Sequence, residues 1–220
     1  MSSLYTHKSY FWLRALYPGM MWRLSDAERV IYLTFDDGPV PEATPFVLEQ
    51  LKNFDAKATF FVVGHNVDKY PHLLHQILEE GHSVGNHTYN HLNAWNHNPR
   101  KYWQNVQQCQ EVLLNVGKQQ VVGFDTHLFR PPYGKMTPMH SRLLKKSYSL
   151  VLWDVLTADF DQQLSPGICL AKAQLHTEPG SIVLFHDSVK AFKNMSFVLP
   201  RFLSHFHRMG FRFLPLPMLD

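Results

Sequence analysis

Two adjacent carboxylates, Asp36 and Asp37, close the apolar run Ile31-Tyr-Leu-Thr-Phe35 just ahead of Gly38-Pro39. Neighbouring side chains on a strand point to opposite faces, so both acids reach one pocket only if the chain bends at the strand end. Gly38 and Pro39 are expected to supply that bend. Such a pair can divide labour, one carboxylate holding a metal and the other staying free as a general base. The segment Gly85-Asn-His87-Thr-Tyr-Asn-His91 spaces two imidazoles at i and i+4, which one helical turn would bring onto one side. Zinc favours imidazole nitrogen and carboxylate oxygen, and a catalytic site keeps one position for water. Asp37, His87 and His91 make such a set, and His186 remains available as an acid.

These side chains need a scaffold that brings distant segments together. Short apolar runs at Val30–Phe35, Ala58–Val63, His82–Gly85, Leu128–Arg130, Ser149–Trp153, Ser181–Phe185 and Phe211–Leu214 read as strands. Between them, helices are predicted over Thr44–Asn53, Val67–Glu80, Pro99–Val116, Pro138–Lys146, Pro166–His176 and Met195–Met209; several open near proline and several end at glycine. Such alternation predicts parallel α/β architecture, in which the carboxyl ends of the strands share one face. Asp36-Asp37, His87 and His91, Arg130 to Tyr133, and His186 all follow predicted strands.

A chain of 220 residues with 45% hydrophobic content suits one α/β barrel or one doubly wound sheet, and no linker or repeat divides it. The formal charge of +3, with no Lys/Arg cluster longer than the pair Lys145-Lys146, gives little support for a nucleic-acid surface. Cys109 and Cys169 form no CxxC and suit a reducing compartment. The aromatic patches Tyr10–Leu13 and Met20–Trp22 are divided by Arg14, Pro18 and Gly19, too short for a secretion signal or a membrane span. The expectation is a cytoplasmic protein in which residues 1–29 pack on a catalytic domain of residues 30–220. Peripheral membrane contact is the alternative use of the leader.

Taken together, Thr34-Phe-Asp-Asp-Gly-Pro39, His87-xxx-His91, Arg130-Pro-Pro-Tyr-Gly134 and Leu184-Phe-His-Asp187 resemble the polysaccharide deacetylase family, carbohydrate esterase family 4 with its NodB homology domain. The resemblance runs from about Val30 to the C-terminus. It implies a distorted (β/α)7 barrel, a single domain, and divalent-metal-dependent removal of N-acetyl, or sometimes O-acetyl, groups from sugars. Position by position it implies Asp37, His87 and His91 as metal ligands, Asp36 as catalytic base and His186 as general acid. Arg130 matches the arginine that orients the base, presenting a fork of N–H donors to the carboxylate. The backbone N–H of Tyr133 matches the oxyanion donor, and Leu184, Trp153 and Phe160 would line the acetyl pocket. The expected cofactor is zinc, with cobalt, nickel or iron as alternatives.

One motif departs from the family. Trp153-Asp-Val-Leu-Thr-Ala-Asp-Phe160 puts Leu156 where the family carries the aspartate that supports the acid histidine, with Asp154, Asp159 or Asp187 as substitutes. Lacking that neighbour, His186 is expected to have a lowered pKa and the activity an optimum shifted to lower pH. A cytoplasmic location favours a small or membrane-presented N-acetylated sugar over mature peptidoglycan or chitin. Hydrolysis of another small amide or ureide, and a catalytically silent carbohydrate-binding protein, are the competing functions.

Overall fold

The computed structural model describes residues 6–9, 14–15, 17–25, 27–122 and 124–217. The aromatic stretch Tyr10–Leu13 lies outside the described residues. Eight strands are described: β1 (Val30–Asp36), β2 (Ala58–Val62), β3 (Ser83–Asn86), β4 (Leu128–Phe129), β5 (Ser149–Leu150), β6 (Val155–Leu156), β7 (Ile182–His186) and β8 (Arg212–Phe213). Seven form one parallel path in the order β5-β4-β3-β2-β1-β7-β6, and β8 pairs with the start of β1. Helices between the strands cover the outer face, giving the distorted (β/α)7 barrel.

Strand alternation sorts the core. Ile31, Leu33 and Phe35 of β1 pack outward with Val47, Leu48 and Leu51 of the Thr44–Lys52 helix and with Phe202 of the Phe192–Arg208 helix. Phe60, Phe35 and Phe185 stack at centroid distances of 5.1 and 5.7 Å, tying β2, β1 and β7 to that layer. Burying each such ring contributes roughly 1.5–3 kcal/mol. The alternate residues point the other way: Phe61, Leu128 and Ile182 make an inner core, and Thr34 and Asp36 share this side.

Two predicted elements are divided. Val67–Glu80 is two helices, Gly64–Lys69 and Pro71–Glu79, because Pro71 disfavours helical geometry at Tyr70, whose ψ is 57°. The predicted strand Ser149–Trp153 ends at Leu150, and the chain rejoins the sheet at β6 beside β7. The two short strands do not pair with each other; the N-terminal segment reaches both. Met21 donates its N–H to Leu150 O and accepts from Leu152 N, both at 2.8 Å, while Lys8 bridges antiparallel to Val155. Buried Met20 and Trp22 pack with Tyr102 and Phe129.

A fully buried carboxylate anchors this segment. Asp154 meets Lys8 Nζ at 2.8 Å, Ser181 Oγ at 2.7 Å, and the Arg14 guanidinium. Asp154 therefore faces the N-terminal strap and does not reach His186.

Candidate active site

β1 and β7 run parallel with Asp36 opposite His186 in register. Both belong to the inward-facing set, so strand pairing alone puts a carboxylate beside an imidazole. Asp36 is 3% exposed. Asp37 adopts φ +80°, in the left-handed region that costs a non-glycine residue about 1–3 kcal/mol. The bend thus begins at Asp37 itself, one residue before the expected Gly38. Gly38 is needed for a different reason: a Cβ there would sit 2.0 Å from Asp187 Oδ2. Asp187 accepts hydrogen bonds from Gly38 N at 3.1 Å and Thr44 Oγ1 at 2.7 Å, bracing the turn from behind. Burial, reinforced by the charge of Asp37, pushes its pKa up to about 8.

His87 and His91 follow β3 in a loop, not on the helical turn expected from their spacing. Thr88 and His91 take φ values of +66° and +53°, and these reversals fold the loop back on itself. Asn105, on the Pro99–Gln120 helix, accepts from Tyr89 N and Asn90 N through Oδ1, both at 3.0 Å, and Thr88 Oγ1 accepts from Leu92 N. The rings end with centroids 5.1 Å apart. One donor atom from each of Asp37, His87 and His91 lies within 4.8 Å of the others.

The chemistry of these donors fits a divalent cation. His87 Nδ1 lies 2.7 Å from Arg130 O, a contact that places the ring proton on Nδ1 and leaves the Nε2 lone pair facing Asp37. Burial pulls its pKa down to about 4, helped by His91 and opposed by Asp36 and Asp37, so the ring is neutral as a ligand must be. Asp37 is desolvated, yet the hydrogen bond from His91 and the charges of His186 and His87 hold it well below the usual carboxylate range.

Arg130 is fully buried inside the barrel. Its Nη1 donates to Asp36 Oδ1 at 2.7 Å and to Thr34 Oγ1 at 2.8 Å, and Nη2 donates to Leu152 O at 2.9 Å. The guanidinium also lies 4.2 Å from the Phe61 ring centre. One guanidinium nitrogen, rather than the expected fork, therefore holds the carboxylate. Asp36 Oδ2 is left pointing into the cleft, 3.7 Å from His87 Nε2.

The following Pro131-Pro132 pair has no N–H to give, so Tyr133 carries the first backbone N–H after Arg130, and the bonds of the short 3-10 turn are donated by Gly134 N to Pro131 O and Lys135 N to Pro132 O. Tyr133 takes φ +63°, and its exposed ring stands edge-on to His91 at 4.7 Å.

Across the cleft, His186 has a carboxylate partner despite the motif departure at Leu156. Asp159 Oδ1 lies 2.7 Å from His186 Nδ1, and Oδ2 accepts from His186 N at 2.8 Å. Ala158, at φ +58°, turns the chain so that Asp159 swings inward. Burial disfavours the imidazolium, but Asp159, then Asp37 and Asp36, outweigh it and raise the pKa to about 9. The expected lowering of the His186 pKa is therefore corrected: the carboxylate neighbour is present and the shift runs upward. Leu156 instead forms an apolar patch with Ala158 and Leu184, against which Trp153 and Phe160 pack. Phe160 meets His186 edge-on at 5.1 Å.

All ten predicted site residues converge, since Asp36, Asp37, His87, His91, Tyr133, Trp153, Phe160, Leu184 and His186 line one cleft of about 510 Å³ and Arg130 braces it from below. Leu156, Lys135, Ser188 and Lys190 also line it, and Thr34 supports Arg130. Sequence reasoning missed the last four. Lys135 adjoins the Arg-Pro-Pro-Tyr-Gly motif and Lys190 follows His186 by four residues, so proximity to a motif was the available signal.

Residues 24–149 match the family model described as polysaccharide deacetylase. A peptidoglycan-N-acetylglucosamine deacetylase of Bacillus cereus is 33% identical over 201 residues, covering 90% of this chain and 91% of that protein. A chitooligosaccharide deacetylase of Azorhizobium caulinodans is 32% identical over 170 residues, covering 77% of this chain and 79% of its own. Among solved structures, a peptidoglycan N-acetylglucosamine deacetylase superposes with a TM-score of 0.84 at 29% identity, covering 93% of this chain and 94% of that one.

Proposed function

Because this chain belongs to the polysaccharide deacetylase family, we propose that the cleft divides into a basic side, Asp36 over the Asp37, His87 and His91 triad, and an acidic side at His186. The protein is a hydrolase that removes N-acetyl groups from carbohydrate. The observation that carries the division of roles is the fixed orientation of Asp36. Arg130 occupies Oδ1 while Oδ2 faces the triad.

Asp37, His87 and His91 would hold a divalent cation, and two imidazoles with one carboxylate favour zinc. When bound, such a cation polarises the amide carbonyl and acidifies water. Asp36 Oδ2 takes the proton of the attacking water. The Tyr133 N–H donates to the oxygen that gains charge as the carbonyl carbon becomes tetrahedral. Protonated His186, held by Asp159, gives its proton to the departing nitrogen, which otherwise leaves poorly. Leu156, Leu184 and the Trp153 and Phe160 rings exclude water around the acetyl methyl.

Metal analysis paired with acetate release tests these roles. Asp36→Asn is expected to retain metal and lose at least about 100-fold in turnover, whereas His87→Ala loses both. Unchanged turnover in either variant refutes the assignment.

A cytoplasmic location is proposed on the two buried, unpaired thiols, Cys109 and Cys169, which suit a reducing compartment. Fractionation of the native host would test it, and recovery of the protein outside the cell would overturn it.

A further inference from the structure

The mouth of the cleft carries two lysines that the chemistry above does not use. Lys135 Nζ sits 4.8 Å from the Trp95 ring centre, on the wall formed by Tyr133 and His91. Lys190 Nζ sits 5.6 Å from the Phe160 ring centre, on the opposite wall beside His186. Among the described residues neither ammonium forms a salt bridge, as holds for the other lysines apart from Lys8; what sets these two apart is their place at the mouth of the cleft. Aromatic faces hold both lysines at the cleft without neutralising them.

The carboxylates on the floor do not cancel this charge once the site is loaded. Arg130 neutralises Asp36, and a divalent cation more than neutralises Asp37. Flexible lysines on a solvated face usually have no ligand. Here, however, they stand on opposite walls of one concave site, and field lines concentrate in such a cleft.

From this placement we infer that the enzyme selects N-acetylated sugars bearing an ionised acidic group close to the reacting acetamide, with Lys135 and Lys190 as the residues that select it. The inference rests on the deacetylase reading and deepens it by naming the substrate class. The acidic group is a carboxylate on an adjoining sugar of a glycan chain or a phosphate ester on the sugar itself. Exposed single ion pairs are individually weak, so the two lysines together are expected to give about a tenfold preference, equivalent to about 1.4 kcal/mol.

Calorimetric binding to metal-loaded Asp36→Asn protein tests this without requiring turnover. The carboxylate probe is a tetrasaccharide of alternating N-acetylglucosamine and N-acetylmuramic acid, compared with neutral N,N′,N″,N‴-tetraacetylchitotetraose. The phosphate probe is N-acetylglucosamine 1-phosphate, compared with N-acetylglucosamine. At low salt, at least one acidic probe is expected to bind about tenfold more tightly than its neutral counterpart. That ratio should fall towards one when Lys135→Gln and Lys190→Gln are added, and also at 1 M salt, where screening acts over about 3 Å. The arm that shows the preference identifies the acidic group.

Neutral probes binding as tightly as both acidic ones overturn the inference, as does a preference that survives loss of both lysines. Acetate release by the wild-type protein is measured separately. Acidic preference without acetate release sinks the deacetylase reading alone, and acetate release without acidic preference sinks the lysine inference alone.

Discussion

Replacing Asp159 with asparagine isolates the charge that keeps His186 protonated. The asparagine side chain retains the size of the aspartate and can still accept from His186 N, but the negative charge 2.7 Å from Nδ1 is lost. In the wild type, Asp159 is the largest influence opposing burial, and the pKa stands at about 9 against an ordinary 6.5. That difference corresponds to about 3 kcal/mol favouring the imidazolium. A cation on Asp37 removes that residue's share, so the wild-type alkaline limb is expected above 6.5 and no higher than about 9.

The sign follows from which form acts. His186 donates a proton, so activity falls as pH rises through its pKa. In Asp159→Asn, burial remains while the main opposing charge is gone, and the limb should move to 6.5 or below. For a wild-type limb near 9, the protonated fraction at pH 7.5 would drop from about 97% to about 10% or less, roughly a tenfold loss of rate that recovers as the pH is lowered. Acetate release measured from pH 5 to 10, with an NMR titration of the His186 ring in the zinc-loaded protein, reads both quantities. A variant whose alkaline limb and ring titration coincide with those of the wild type would refute the reasoning. Linkage adds a check: because the folded pKa is raised, the His186 pair contributes stability that is complete below pH 6.5 and lost as pH rises through about 9.

Arg130→Met should destabilise the protein by about 3–5 kcal/mol, because Asp36 is left buried without its partner, and urea unfolding would measure this. Unchanged stability would mean that the pair is not closed in solution. Gly38→Ala should cost about 1–3 kcal/mol and depress activity, since the new Cβ displaces the Asp187 carboxylate and with it the Asp37 turn; wild-type activity and melting temperature would contradict this. Asp154→Ala leaves Lys8 and Arg14 without their shared acceptor and should loosen the strap along β6. Hydrogen exchange should rise at Leu156 N, which donates to His7 O, and equal protection in the two proteins would count against that role.

The chemistry of the site was legible in the sequence because it depends on residue types and short spacings. Asp36-Asp37 before Gly38, the two histidines four apart, and His186 at the end of an apolar run are local patterns. Strand alternation then dictates which of their side chains face inward. The parallel order of strands followed from the alternation of β and helical periods.

What the sequence left open depends on partners far apart in the chain and on single backbone angles. His87 and His91 meet through left-handed residues and a buried Asn105, not through a helical turn. The break in β5 and its bridging by Met21 depend on hydrogen bonds across about 130 residues, a pairing that no local pattern encodes. The clearest case is His186. Reading by position placed Leu156 at its partner's site, but the φ of Ala158 turns Asp159 into that role and leaves Leu156 to line the pocket. The sequence by itself determined which groups are present and which face of each strand they occupy. Only the tertiary structure decided which carboxylate meets which base, because a side chain's direction and its pKa depend on neighbours that folding brings within about 3 Å.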